Sequence, residues 1–270
     1  MKNDDIQFSL LLPTRGRAPL VRRLFDSLVQ TTADLRCLEV VLYIDEDDGQ
    51  TQKISYPTLS LIKIVGRPRQ TMGYMNRTCC DASHGRYVML MNDDAVFRTP
   101  SWDTRVFEAA GCFPDQIALI YGNDLDQGEA VPTFPIVSRA VCEVLGEICP
   151  RGYQHLHIES HLLDIFKQLV RLGHKRICYL DDVIFEHMHY VVGKAAPDST
   201  YAKKNQRLDD LLFIALDDER AFKAKLLARR IEADRNYHSA ESYMRHPTRE
   251  EVRKKLSLTA LLKRIFYPDA

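Results

Sequence analysis

An α/β fold with a mostly parallel central sheet and flanking helices is predicted by two features of the sequence. In the first third of the chain, short apolar runs alternate with amphipathic helical patterns, and the runs end in polar residues, a proline or a glycine. Strands and helices in this order form parallel sheets through right-handed crossovers. The second feature is composition: of 270 residues, 45% are hydrophobic and 27% are charged, which is typical of a globular protein.

Local patterns define the elements of the first third. A buried strand over residues 8–12 ends at Pro13, which cannot donate to a strand ladder. Leucines recur every four residues from Leu20 to Leu28, on one face of a helix that starts at Pro19. Further strands are predicted over residues 39–44, 61–65 and 87–91, with a helix over residues 72–83.

The rest of the chain is less regular and continues into a charged helical region. The end of the α/β domain is predicted near residue 195, because Gly193 and Pro197 interrupt the pattern there. Residues 1–195 then form the main domain, and residues 196–270 form a helical C-terminal extension. The other predicted elements are helices over residues 102–110, 138–145 and 159–172, strands over residues 118–121, 177–180 and 183–185, and helix from residue 205 onward.

Charge and cysteine content disfavour several classes of protein. The 37 Lys and Arg residues balance 37 Asp and Glu residues, whereas a dedicated nucleic-acid-binding protein is usually basic. The seven cysteines include no C-x-x-C pair, so neither a disulfide framework nor a cysteine zinc site is indicated. Early apolar runs are too short for a signal peptide or a membrane span. We therefore expect a cytoplasmic protein that does not bind nucleic acid.

Polar residues follow several predicted strands and should share one edge of the sheet. Ligands of α/β sheets bind at the carboxyl ends of the strands. Residues 13–17, Asp45 and residues 92–94 occupy such positions. Carboxylate and amide oxygens suit a hard divalent ion, and arginines suit phosphate, although the same residues also fit ordinary turns and surface positions. No G-x-G-x-x-G follows the first strand and no P-loop motif occurs, which disfavours dinucleotide oxidoreductases and P-loop NTPases.

The ordered motifs resemble a GT-A fold nucleotide-sugar glycosyltransferase of the family 2 type, over residues 8–190. The matching segments are Leu12–Arg17, Tyr43–Asp45, Met72–Asn76, Gly85–Asp94, Trp102–Asp103, Asp164–Leu169 with Gly173, and Glu186–His189. The resemblance implies a donor-binding half of about residues 1–100 and an acceptor half of about residues 101–195. It also implies Mn²⁺ or Mg²⁺ as cofactor, and a nucleotide-sugar donor and a glycan or lipid-linked acceptor as partners.

Roles for individual residues follow from the same resemblance. Asn92 and Asp94 take the D-x-D metal-binding positions, with Asn92 in place of the first acid, and His187 or His189 is a further metal contact. The catalytic base is predicted to be Glu159, with Asp164 as the fallback, since the family's Glu-Asp pair aligns with His161 and Leu162. The nucleotide-binding residues implied are Pro13, Thr14, Arg15, Arg17, Asp45, Arg69, Gly73, Asn76 and Asp93.

The implied function is metal-dependent, inverting transfer of a sugar, with UDP-sugars favoured, to an acceptor hydroxyl in cell-surface glycan assembly. Two alternatives remain. A non-catalytic sugar-nucleotide-binding or scaffold protein on the same fold would explain Asn92 and the altered Glu-Asp pair. A zinc hydrolase would use His157 and His161, which are four residues apart, although H-E-x-x-H is not matched.

The C-terminal tail has a character of its own. Residues 245–266 contain seven Lys or Arg residues against two Glu, together with an apolar side of leucine, isoleucine and phenylalanine. A basic amphipathic helix can lie on an anionic membrane surface, which would place the protein at the inner face of the membrane. Packing on the protein itself or in a homo-oligomer is the equal alternative.

Overall fold

The computed structural model describes residues 6–189, 193–194 and 206–241. Two compact units are defined by the contacts, Met1–Arg230 and Ile231–Ala270. The predicted domain boundary at residues 195–196 and the basic tail over residues 245–266 lie outside the described residues. Of the helices in the described ranges, none is both long and apolar enough to cross a bilayer.

Eight strands form one sheet, in the order β3-β2-β1-β4-β7-β6-β8-β5. The first four strands of that order pair in parallel, as do β6 and β8, whereas β7 and β5 are antiparallel to their neighbours. This confirms the predicted mostly parallel α/β sheet. The strands are β1 (Phe8–Thr14), β2 (Leu38–Asp45), β3 (Ser60–Gly66), β4 (Tyr87–Leu90), β5 (Ala95–Phe97), β6 (Leu119–Asn123), β7 (Ile136–Ser138) and β8 (Ile177–His187).

Helices cover the sheet and begin at residues suited to capping. Thr71 accepts the backbone N–H of Tyr74 at 3.1 Å, and Ser138 accepts that of Val141 at 3.2 Å, so each side chain satisfies an otherwise unbonded donor. The helices are α1 (Ala18–Thr31), α2 (Gly49–Gln52), α3 (Met72–Asp81), α4 (Trp102–Gly111), α5 (Arg139–Leu145), α6 (Ile158–Arg171), α7 (Gln206–Ala215) and α8 (Asp217–Glu241).

The hydrophobic core lies between the sheet and its helices. Alternate residues of the central strands, such as Leu10 and Leu12, are fully buried in the same cluster as Leu24 of α1. Trp102 of α4 is also fully buried, and its ring packs against that of Phe185 on β8 at 5.5 Å.

Topology brings distant parts of the chain to one edge of the sheet. Because β6 is reached from β4 through two antiparallel pairings, it runs in the same direction as β4, and the two carboxyl ends lie at the same edge. The antiparallel register of β5 and β8 pairs Ala95 with His187. The sequence predicted two short strands in place of β8, and it predicted neither β5 nor β7, which have three residues each.

Candidate metal and nucleotide site

Asp94 and His187 meet where β4 ends and β8 ends. The Nε2 atom of His187 lies 3.3 Å from Oδ1 of Asp94, and both side chains are largely buried. The backbone holds the two segments together, since the N–H of Met188 donates to the carbonyl of Asp94 at 2.9 Å. Two residues for which the resemblance implies metal-binding roles are therefore neighbours in space.

The loop that follows β6 adds carboxylates to this contact. Asp124, Asp126 and His187 each offer a ligand atom, and these atoms lie within 4.8 Å of one another. The backbone N–H of His187 also donates to the carbonyl of Asp124 at 3.0 Å. In the described ranges, this is the group of three His, Cys, Asp or Glu side chains that could hold a metal ion.

The two acids of this loop have different surroundings. Asp124 is 1% exposed, and its Oδ1 atom accepts three backbone N–H groups, from Asp126, Gln127 and Gly128, at 2.8–3.0 Å. The hydroxyl of Thr133 donates to its other oxygen. Four hydrogen bonds hold this carboxylate in place, so Asp124 shapes the loop. Asp126 is exposed, and its hydrogen bond comes from the side chain of its neighbour Gln127 at 3.1 Å.

This donor set fits a divalent ion. Carboxylate oxygens with one imidazole suit Mn²⁺ or Mg²⁺ better than a thiolate-preferring metal. The residues that would hold the ion are His187 and Asp126, with Asp124 as a further carboxylate of the same group and Asp94 in contact with His187. Asn92 is half-buried, and the centroid of the His189 ring lies 5.0 Å from that of His187, with the two rings tilted by 41°.

Sequence reasoning assigned no metal-binding role to Asp126. The signal was present, because Asp124-Leu125-Asp126 is a second D-x-D pattern directly after a predicted strand. That strand could be assigned to this edge of the sheet only once the antiparallel pairings through β7 were known.

Asp93, in the loop after β4, is hydrogen-bonded to the end of β1 and to the loop that follows it. It accepts the Thr14 hydroxyl at 2.8 Å and the Arg17 guanidinium at 2.9 Å, and it is 5% exposed. Burial raises the pKa of the Asp93 carboxyl to about 6, and the Arg17 charge opposes that rise while the Asp94 charge adds to it. Three residues with predicted nucleotide roles thus form one connected group.

Asp45 joins two other loops at the end of β2. Its Oδ2 atom accepts a hydrogen bond from the Arg15 guanidinium and another from the backbone N–H of Arg69 at 3.2 Å. Arg15 also donates to Asp47 at 2.7 Å, and these hydrogen bonds raise the pKa of its guanidinium. The loop after β1 is held further by Asp48, which accepts the N–H of Gly16 at 2.6 Å. The side chains of Arg15 and Asp45 are thus engaged with protein partners.

The start of α3 packs closely against the segment before α6. The N–H of Gly73 donates to the carbonyl of Tyr153 at 2.9 Å, and a Cβ at Gly73 would lie 2.1 Å from the carbonyl oxygen of Pro150. This close approach explains the glycine, because any side chain at residue 73 would clash with the Pro150 carbonyl. Asn76, one turn later, is 5% exposed, and its Oδ1 has no hydrogen-bond partner among the described residues.

An open groove lies beside β3 and the start of α3. Its volume is about 340 Å³, and the rings of Tyr43 and Tyr74 in its lining meet edge to face at 6.3 Å. Arg67 and Gln70 also line it, so the groove borders the loop whose Arg69 contacts Asp45. Small-molecule sites of proteins typically have volumes of about 300–1,000 Å³.

The two candidate bases on α6 have different partners. Glu159 lies half-buried in the first turn of the helix. Asp164 forms an ion pair with Arg220 of α8 at 2.6 Å and accepts from Gln168 at 2.8 Å. Burial raises the pKa of Asp164, but these two hydrogen bonds and the charges of Arg220 and Arg171 together outweigh it, so the net pKa is lowered. At the positions of the family's Glu-Asp pair, His161 and Leu162 are both buried.

The histidines of the predicted zinc site are bonded elsewhere. His157 lies 2.7 Å from Asp210, and Nδ1 of His161 lies 3.0 Å from the hydroxyl of Tyr153. Burial and the charges of Lys223 and Arg220 lower the pKa of His161 to about 3. Neither histidine belongs to the metal-compatible group found in the described part of the chain.

Comparison with known proteins gives a fold but no closer relative. No protein-family model and no curated protein matches the chain. Among solved structures, the mannosyltransferase PcManGT from Pyrobaculum calidifontis, in complex with GDP-Man and Mn²⁺, is 14% identical with a TM-score of 0.54, and the match covers 97% of this chain and 81% of that one. S. aureus TarS 1-349 in complex with UDP is 17% identical with a TM-score of 0.53, covering 91% and 77%.

A longer structure of S. aureus TarS is also 17% identical with a TM-score of 0.53, and the match covers 67% of this chain but 36% of that one. The chain therefore corresponds to about a third of that protein. At these identities the likeness concerns the fold alone, and it confirms the predicted architecture: the chain has the GT-A fold that nucleotide-sugar glycosyltransferases use.

Proposed function

We propose that this protein is a metal-dependent glycosyltransferase that moves a sugar from a nucleoside-diphosphate sugar, with UDP-sugars favoured, to an acceptor hydroxyl with inversion. The observation that carries the proposal is the contact of His187 with Asp94 beside Asp126, at the edge of the sheet where α/β proteins bind their ligands. PcManGT with GDP-Man and Mn²⁺, and TarS with UDP, share the fold.

Asp94, Asp126 and His187 would hold Mn²⁺ or Mg²⁺. Such an ion, when bound, neutralises charge on the diphosphate of the donor. Asp126 would supply the second negative charge that Asn92 lacks at the D-x-D position. Asn92 and His189 remain candidate outer contacts of the ion.

The donor nucleotide would lie along the loops after β1, β2 and β3. Asp93 holds Thr14 and Arg17 in place, which presents the Arg17 guanidinium near the metal-binding acids. Arginine pairs well with phosphate oxygens, so Arg17 is placed to bind the diphosphate. Pro13, Arg15, Asp45, Arg69, Gly73 and Asn76 complete the proposed nucleotide site, with the groove beside Tyr43 as room for the base.

The chemical step would need a base for the acceptor hydroxyl. Glu159 is proposed for this role, because Asp164 forms an ion pair with Arg220 and the pKa of the Asp164 carboxyl is lowered. As the acceptor oxygen bonds to the anomeric carbon, Glu159 would take its proton, and the bond to the diphosphate would break with its electron pair on the diphosphate. General bases contribute about 10²–10⁴-fold to rate.

A donor-hydrolysis and transfer assay tests the proposal. UDP- and GDP-sugars are incubated with the full chain and Mn²⁺, with and without EDTA, and release of UDP or GDP is measured together with transfer to glycan and lipid-linked acceptors. We expect release that needs Mn²⁺ and is lost in Asp94→Ala. Metal-dependent nucleotide binding with neither release nor transfer would instead establish the non-catalytic alternative.

A further inference from the structure

The loop over residues 150–157, called the strap from here on, leads into α6 and lies against two helices. One of them is α3, on the donor side. The N–H of Met72 donates to the carbonyl of Gln154 at 3.1 Å, and that of Gly73 donates to Tyr153 at 2.9 Å. The first turn of α3 is therefore bonded to the backbone of the strap.

The other helix is α7, from the region beyond residue 205. Asp209 of α7 is 1% exposed. Its carboxylate accepts the N–H of Gln154 at 2.7 Å, of His155 at 2.9 Å and of Leu156 at 2.8 Å. Three converging N–H donors bind a carboxylate strongly, because each hydrogen bond is charge-assisted. One side chain thus fixes three successive peptide groups of the strap.

Neighbouring residues of α7 fit the strap closely. His157 lies 2.7 Å from Asp210, and its ring is 4.9 Å from that of Phe213. At Gly152, a Cβ would lie 2.9 Å from a terminal carbon of Leu212. The contact is therefore a packed surface centred on the Asp209 carboxylate.

The strap ends where α6 begins. His157 has a left-handed backbone with φ of +66°, and its carbonyl accepts the N–H of His161 at 2.7 Å. Left-handed backbone at a residue other than glycine persists when its surroundings hold it. Glu159 lies in the first helical turn after this bend, so the orientation of its backbone depends on the strap.

We propose that Asp209 is a positioning residue for the transfer reaction: it holds the strap so that α6 presents Glu159 to the acceptor. The inference rests on the proposed function. In this proposal α7 belongs functionally to the glycosyltransferase domain, because the carboxylate that orders the strap comes from beyond residue 205. Asparagine at this position offers one acceptor oxygen and sets an NH₂ group against backbone donors, which would loosen the strap.

The experiment compares Asp209→Asn with the control Asp218→Asn, an exposed acid on α8. Amide hydrogen exchange is measured over residues 150–160, together with kcat, KM for the donor and UDP–Mn²⁺ affinity. We expect Asp209→Asn to exchange faster in the strap and to lose about tenfold to a hundredfold in kcat, since small misplacements of reacting groups cost that much. UDP–Mn²⁺ affinity should stay within about twofold of wild type, because the strap binds α3 through the carbonyl groups of Tyr153 and Gln154, which Asp209 does not contact. Asp218→Asn should match wild type throughout.

A merely structural role would lower the yield of folded protein but leave kcat per folded molecule unchanged, and that result would overturn the proposal. If Asp209→Asn does not fold, Asp209→Glu keeps the charge but displaces the carboxylate, and it should show the same loss of kcat without loss of UDP affinity. Wild-type protein without transfer would refute the proposed function itself. Transfer by wild type and equally by both Asp209 variants would refute only the positioning role.

Discussion

The imidazole of His187 lies 3.3 Å from the carboxylate of Asp94, although the two residues are far apart in the sequence. Strand pairing explains the contact, because β5 and β8 place His187 opposite Ala95. This contact places an imidazole and a carboxylate together, as a metal site requires. Asp126 approaches His187 from the loop after β6.

Replacing His187 with alanine should weaken Mn²⁺ binding by at least about tenfold, because a direct ligand matters no less than the outer-shell groups whose loss costs 10–100-fold. His189→Ala is the matched control and should have a smaller effect. Electron paramagnetic resonance of unbound Mn²⁺, titrated with protein in the presence of UDP, measures both. The reverse order of effects would transfer the ligand role to His189.

The two acids of the loop after β6 should separate into a metal-binding and a structural residue. Asp126→Asn should lower Mn²⁺ affinity and leave the free energy of unfolding nearly unchanged, because Asp126 is exposed. Asp124→Asn should destabilise the protein by about 1–3 kcal/mol, because buried N–H donors lose a charged acceptor. Urea denaturation and Mn²⁺ titration of both variants provide the test. Unchanged metal affinity in Asp126→Asn would remove it from the ligand set.

Substitutions of Asp164 and Glu159 should have opposite effects on stability and on turnover. Asp164→Asn should lose about 1.5–3 kcal/mol of stability, because the buried Arg220 side chain would lose one of its two charged partners and keep Asp217. Its turnover per folded molecule should persist. Glu159→Gln should keep stability and UDP affinity while losing turnover.

A control for the ion pair is Asp182→Asn, whose pair with Arg105 is exposed on both sides and should contribute under about 1 kcal/mol. Chemical denaturation and steady-state kinetics distinguish these variants. Near-normal turnover in Glu159→Gln would refute its assignment as the base.

Stability should fall at acidic pH in part through His161. Its pKa is lowered from 6.5 to about 3 in the folded protein, so between these values the unfolded chain binds a proton that the folded chain excludes. The free energy of unfolding should therefore decrease by about 1 kcal/mol per unit as pH falls from 6 to 4. Urea denaturation at several pH values should show a shallower slope in His161→Gln.

Tyr153→Phe separates burial from hydrogen bonding at the same site. It removes the hydroxyl that lies 3.0 Å from Nδ1 of His161 but keeps the buried imidazole. The steep slope should remain, because burial is the largest cause of the lowered pKa. If the free energy of unfolding had the same pH dependence in wild type and in His161→Gln, His161 would have the same pKa in the folded and unfolded states.

The parallel half of the fold could be predicted because its signals are local. β1 and β2 are mostly apolar and buried along their whole length, and each ends at a recognisable polar residue, Thr14 and Asp45 respectively. β5 and β7 could not be predicted, because three-residue strands carry little pattern and their pairing depends on partners distant in sequence.

The candidate site divides in the same way. Asp93, Asp94 and His187 were recognisable from an ordered set of motifs, and the structure brings them together. Asp126 required the antiparallel pairings through β7, and the strap's attachment to Asp209 required the docking of a helix from beyond residue 205. Residues that act through tertiary packing leave no spacing in the sequence by which to find them.

The most direct test of the central claim is thermal stabilisation of wild type and Asp94→Ala by UDP and by GDP, each with and without Mn²⁺. Free nucleotide at 100 times its dissociation constant should stabilise the wild type by about 2.7 kcal/mol. We expect this stabilisation with UDP and Mn²⁺ together, a much smaller effect without the metal, and its loss in Asp94→Ala. Equal stabilisation with and without Mn²⁺, or none with either nucleotide, would contradict a metal-dependent nucleotide-sugar transferase.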